Sequence, residues 1–328
     1  MIRFGIVAAC AALLLPAMAV SQEFQPQNPE CIAPAAPGGG FDLTCRLTSQ
    51  ELNRLGFVEP SIRTTNMPGG IGAVAYNQIQ ASRRSDPNVI VAVSTGSWVN
   101  LAQGKFGRFS EDDVRWLGAI GADYGVLAVR ADSRFETFED FVAALKEDVG
   151  SVAIGAGGTV GSQDWMKIAL VAQAADVDPK GLRYLSYEGG GEALGALLGG
   201  TIEALPGDAS EMLGQLEAGE IRVLATFSNE RLDGPYAEIP TARESGYDVE
   251  WPIVRGFYGP PEMGDDAYAY WTDALSQLND NPEWQTARAE QGLYEYNLIG
   301  EEFDAFAKQR TAAFRDLATS VGLATTED

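Results

Sequence analysis

The stretch APAAPGGGFDLTCRL places three consecutive glycines directly before Phe41, Asp42 and what reads as a helix start. Glycine loses more conformational freedom on folding than any other residue, so a run of three needs a local reason. A turn joining a strand to a helix is one. The other is a loop that brings its backbone N–H groups up to a ligand. The chain then repeats the device: NMPGGIG, VSTGSW, GAGGTVGSQDW, YEGGGEAL and PGDASEM each follow a short apolar run and open an amphipathic one. Where each loop enters a helix, unpaired N–H groups and the helix dipole favour negative charge. Glycine permits close backbone approach, and Ser and Thr hydroxyls add donors. A set of six such loops points to an anion.

What the sequence lacks narrows the chemistry further. It contains no histidine, which excludes Ser-His-Asp and Cys-His nucleophile pairs and any His-ligated metal. No P-loop, EF-hand loop or C-x-x-C occurs, and no cofactor or metal is expected. The chief rival is a dinucleotide-binding oxidoreductase. Gly155, Gly157 and Gly161 lie between a strand and a helix, and Glu188 ends the next strand, where a ribose would be held. The five other loops of similar chemistry, and an export signal, argue against it. A structural or adhesive exported protein is the third class, and thermal shift with carboxylates separates it from a binder.

The elements that must position these loops read as α/β, with strands alternating with helices in largely parallel sheets. Residues 1–19 read as a cleaved bacterial signal peptide: Arg3, an apolar run, and Ala17-Met18-Ala19 as the cleavage signal. The run before Cys10 is too short for a lipoprotein signal. The mature chain is therefore expected in the periplasm. The full chain's formal net charge of −23, more negative still once Arg3 leaves with the signal, repels nucleic acid and anionic membrane surfaces. After the signal, Cys31 and Cys45 flank the first glycine loop, one in a strand and one in the helix that follows. In an oxidising compartment such a pair is expected to join. A strand over 125–129, a helix from about Thr137, a strand in WPIVRGFYGPP, and helices over 265–279, 282–290 and 300–321 complete the reading.

With these features placed, the chain resembles the substrate-binding proteins of the tripartite tricarboxylate transporter family, the Bug receptors. The resemblance spans essentially the whole mature chain and rests on PAAPGGGFD, NMPGGIG, GTVGSQDW and IPTARESGY. The segment CIAPAAPGGGFDLTCR is most similar to the tricarboxylate receptors. The chain departs from many relatives at Trp165, where they carry His, and at Ala35-Ala36-Pro37. The resemblance implies a two-lobe periplasmic-binding-protein fold of type II-like form, with residues 20–125 and 246–328 as one lobe and 126–245 as the other. It implies a ligand carboxylate held between the first loop (Gly39, Gly40, Phe41, Asp42) and the second (Gly69, Gly70, Ile71, Gly72). Thr95 and Ser97 line the third loop, and Thr159, Gly161 and Ser162 face them.

From the residues themselves, Asp42 reads as the N-cap of the first helix. Tyr187, Asp208, Ser210 and Glu211 sit at strand ends of the second lobe, where an acid could accept bonds from ligand hydroxyls. Arg255 could pair with a distant carboxylate, but reads first as an ordinary surface charge. The expected function is a non-enzymatic, monomeric receptor that captures an organic polycarboxylate and hands it to a membrane permease. Citrate is the first expectation, and a C4 or aromatic dicarboxylate the second.

Overall fold

The computed structural model describes residues 24–323. The signal peptide expected over residues 1–19 lies outside them. In chain order, β1 (Glu30–Ala33) leads into α1 (Gly40–Arg54). β2 (Arg63–Asn66) passes through a 3-10 turn (Gly70–Gly72) into α2 (Ala73–Ser82), and β3 (Val89–Ser94) runs into α3 (Thr95–Ala102). The long β4 (Arg115–Arg130) is followed by α4 (Phe138–Glu147), β5 (Ile154–Gly157) and α5 (Gln163–Ala174). Then come β6 (Tyr184–Tyr187), α6 (Gly190–Leu198), β7 (Leu205–Asp208), α7 (Ala209–Glu217) and β8 (Ile221–Thr226). β9 (Pro252–Gly259) precedes α8 (Asp265–Asn279), α9 (Pro282–Glu290) and α10 (Glu301–Ser320).

The apolar run of β3 shows why the first sheet is covered on both faces. Val89, Val91 and Val93 pack on one side with Trp98, Tyr258 and Phe303. Ile90 and Ala92 pack on the other with Cys31, Cys45, Leu52 and Trp271. Alternate side chains of a strand point to opposite faces, so a strand apolar at every position needs a layer of helices on each. The expected pairing of Cys31 and Cys45 is present, with their Cα atoms 5.7 Å apart. It fastens α1 to β1 beside the first glycine loop.

The sheets are mixed, not largely parallel as the alternation suggested. β1 pairs parallel with β2 and β3, and β5 with β6. β9 pairs antiparallel with β3 and β4, and β7 and β8 pair antiparallel with β4. The reason lies in the crossing between lobes. The chain leaves the first lobe along β4 and returns by β9, so the two crossing strands run in opposite directions. β4 serves both halves: Arg115 to Tyr124 pair with β9, while Gly125 to Arg130 pair with β7 and β8. At the junction, Gly125 N–H donates to Trp251 O (3.0 Å), Trp251 N–H to Phe227 O (2.7 Å), and Phe227 N–H to Gly125 O (2.7 Å).

Candidate functional site

The helix N-termini of α1, α3, α5, α6 and α7 converge on the seam between the lobes. Ala35, Gly39, Gly40 and Phe41 of the first loop wall one side of a small inner cavity of about 50 Å³, with Ser94 and Gly96 beside them. Gly157, Ser162, Gln163, Asp164, Glu188 to Gly190, Asp208 and Glu211 close it from the second lobe, and Arg255 lines it as well. A space of this size holds roughly four waters. An outer cavity of about 630 Å³ adjoins it, lined by Gly70, Ala73, Asn100 and Lys105 on one side and by Gly158, Thr159, Tyr187, Glu188 and Glu192 on the other. Ser162 and Glu188 belong to both walls.

Beneath the inner cavity lies a buried network of charges. Arg255, 1 % exposed, donates through Nη2 to Asp123 (2.7 Å) and Asp208 (2.8 Å). Lys167, fully buried, donates through Nζ to Asp164 (2.7 Å), Asp208 (2.5 Å) and the Gly207 carbonyl (2.9 Å). Buried charges persist only when paired and hydrogen-bonded. Burial alone would push Asp208 up, but the Lys167 and Arg255 charges hold it below the usual carboxylate range. Burial raises Asp164 to about 6 despite Lys167. Glu211 stands apart: burial, reinforced by the nearby Asp208 charge, pushes its carboxyl up to about 8. Its Oε1 accepts a 2.6 Å hydrogen bond from the Gly40 N–H, across the seam. A Cβ at Gly40 would collide with the Arg255 guanidinium, and one at Gly190 with the Glu211 carboxyl. Glycine is required at both positions by close approach.

The comparisons with known proteins decide what kind of seam this is. Residues 58–323 match the model of the tripartite tricarboxylate transporter family receptor. The chain belongs to that family. Family members are solute-binding receptors rather than enzymes, and the seam is this receptor's interlobe cleft. Its sequence is 24 % identical over 327 residues to the UPF0065 protein in the gbd 5′ region of Cupriavidus necator, covering 98 % of this chain and 97 % of the relative. In fold the receptor is similar to the periplasmic binding protein BugD, with a TM-score of 0.80 at 18 % identity, covering 90 % of this chain and 98 % of that one. It is also similar to MatC from Rhodopseudomonas palustris with bound malate, with a TM-score of 0.77 at 19 % identity, covering 88 % and 98 %. These likenesses establish the two-lobe periplasmic-binding-protein fold.

Of the residues singled out in the sequence, the receptor brings Gly39, Gly40, Phe41, Ser162, Asp208, Glu211 and Arg255 to the inner cavity. Gly70, Thr159 and Tyr187 line the outer one. The others support the walls. Asp42 is not the N-cap of α1. Gly39 occupies that position, and Asp42 sits in the first turn, accepting from Gly38 N–H (3.1 Å), Arg46 Nε (2.8 Å) and Asn66 Nδ2 (2.8 Å). A carboxylate there satisfies the loop from inside and complements the dipole just as a cap would. Thr95 Oγ1 donates to Pro252 O and accepts from Val254 N–H, tying α3 to β9. Ser97 completes a capping box with Ser94. Gly161 offers its carbonyl to Gln103 Nε2 (2.7 Å). Gly69, Ile71 and Gly72 form the turn around Gly70, and Gly69 and Gly72 have positive φ, which favours glycine.

Arg255 is not a surface charge but the most buried cation of the first lobe's wall. The sequence pattern does not single out Lys167, Gln163 or Asp164, or Glu188 as a cleft residue. Two signals were available: a cation inside an apolar strand, Arg255 in WPIVRGFYG, and another in an apolar helix, Lys167 in DWMKIAL.

Proposed function

We propose that this receptor works in the periplasm as a non-enzymatic monomer, captures a dicarboxylate of about malate's size in the interlobe cleft, and delivers it to a membrane permease. The observation that carries the reading is the Gly40 N–H. This loop donor, at the N-terminus of α1, is already engaged with a carboxyl group, that of Glu211. A ligand carboxylate placed there would meet the same donor, the α1 dipole and the Arg255 charge. Residues 20–125 with 246–328 act as one closing body in this reading, and 126–245 as the other.

Charge favours a dicarboxylate over citrate. Asp164, Glu188 and Asp208 line the inner cavity beside the proton-retaining Glu211, against Arg255 in its wall and Lys167 beneath it. Each further negative charge on the ligand is opposed by these acids. The malate bound in the similar MatC structure supports the same size of ligand. Calorimetry with malate, succinate, citrate and terephthalate tests the proposal. Malate or succinate should bind to the wild type, citrate more weakly, and Gly40→Ala should bind none of them. If no carboxylate binds the folded wild type, the reading fails.

A further inference from the structure

Beyond the cleft's charge network, on the same face of β4, lies a separate cavity of about 310 Å³. It spans the two lobes: Leu213 and the 3-10 turn Gly234–Tyr236 come from one, and Arg288 and the segment from Gly292 to Glu295 from the other. Arg288 is the anomaly. It is only 5 % exposed, and its Nε and Nη1 are sealed from solvent with no hydrogen-bond partner among the described residues. Its stem packs over Gly121 of β4, where a Cβ would lie 3.1 Å from Arg288 Cδ. Arg255, by contrast, has two carboxylates within 2.8 Å. Leaving two guanidinium nitrogens buried without partners is costly, and the nearby Glu295 charge offsets only part of the lost hydration.

We propose that this cavity is a second ligand site, for a small monoanion with an apolar body, such as a monocarboxylic acid. The guanidinium supplies the charge, with Nη2, the nitrogen that is not sealed, as the donor an anion would meet. Leu213, Pro235, Leu293 and the Tyr294 ring supply apolar walls. Asp233 and Glu295, also in the lining, oppose a second negative charge and so set the ligand apart from the cleft's dicarboxylate. The segment that carries Tyr294 is clipped to β4 by paired bonds with Ala122 (2.7 and 2.8 Å). Its Gly292 lies against Ser210, where an added Cβ would be 3.4 Å from Ser210 Cα. Ser210 Oγ in turn donates to Asp123 of the cleft network (2.5 Å). An occupant of the rear cavity therefore touches both lobes and lies one residue from the charges beneath the cleft.

Benzoate is the probe, with benzyl alcohol as its uncharged counterpart, read by thermal shift and calorimetry on the full mature chain. Benzoate should stabilise the wild type and benzyl alcohol should not. Arg288→Met, which removes an unpaired buried charge while keeping the stem, should raise the melting temperature without probe and weaken benzoate at least tenfold. Gly40→Ala should keep the benzoate response while losing malate, which separates this site from the cleft. The proposal is overturned if benzoate leaves the wild type unmoved, if Arg288→Met binds it undiminished, or if Gly40→Ala abolishes it. A lower melting temperature for Arg288→Met without probe would likewise count against an unpaired guanidinium.

Discussion

At the scale of single residues, Glu211 decides most about the cleft. Its carboxyl is pushed up to about 8 by burial and by Asp208, from an ordinary value of 4.5. The folded protein thus keeps a proton that the unfolded chain gives up near pH 4.5. The stability this group contributes is whole below that pH and is lost as pH rises through about 8. Asp164, raised to about 6, acts with the same sign over a lower window. Asp208, held low, acts in the opposite sense, its contribution being lost only as acid titrates it below the usual carboxylate range. The melting temperature should therefore fall between pH 5 and 8, and Glu211→Gln should flatten the upper part of that slope. Malate affinity should fall over the same upper range, since ionised Glu211 places a negative charge at the first loop's donor. A pH-independent malate affinity in the wild type would contradict this assignment.

At the scale of elements, the loops were legible in the sequence and the duties of their side chains were not. Strand, glycine loop and helix follow one another where the apolar runs and glycines indicated. α8 and α9 coincide with the spans read from helical spacing, and α10 differs by a residue at each end. Local pattern carries that much because it reflects backbone needs: caps, turns and one buried face. What a hydroxyl or carboxyl touches depends on elements distant in sequence. The Arg255 contacts to Asp123 and Asp208 span 132 and 47 residues. Ser162 shows the consequence. It reads as a ligand donor, yet its Oγ caps α5 through Trp165 N–H (3.4 Å) and donates to Gly157 O (3.0 Å). Ser162→Ala should cost about 1 kcal/mol of stability, as for a lost N-cap. Malate affinity by calorimetry should change less than threefold. A larger loss of affinity at unchanged stability would return the hydroxyl to the ligand.

At the scale of the whole molecule, the lobes meet directly across the seam. Gly40 to Glu211, Arg255 to Asp208 and Gln103 to Gly161 each bridge the seam, at 2.6, 2.8 and 2.7 Å. The inner cavity of about 50 Å³ has no room for a dicarboxylate in this state. Entry therefore requires the seam to part and the Glu211 carboxyl to leave the Gly40 N–H. Glu211 acts in this respect as the receptor's own stand-in for a ligand carboxylate, and the two compete for one donor. Removing the stand-in has two linked effects. The unliganded molecule loses a bridge, so its population shifts toward open forms. The ligand gains a vacated donor and, where pH exceeds about 8, loses a charge that repels it. A ligand moves such an equilibrium only by its differential affinity for the two states. Glu211→Ala should accordingly show a larger radius of gyration than the wild type by small-angle scattering, return to the compact value with saturating malate, and bind malate more tightly. If Glu211→Ala is as compact as the wild type and binds malate more weakly, Glu211 holds the ligand instead of replacing it.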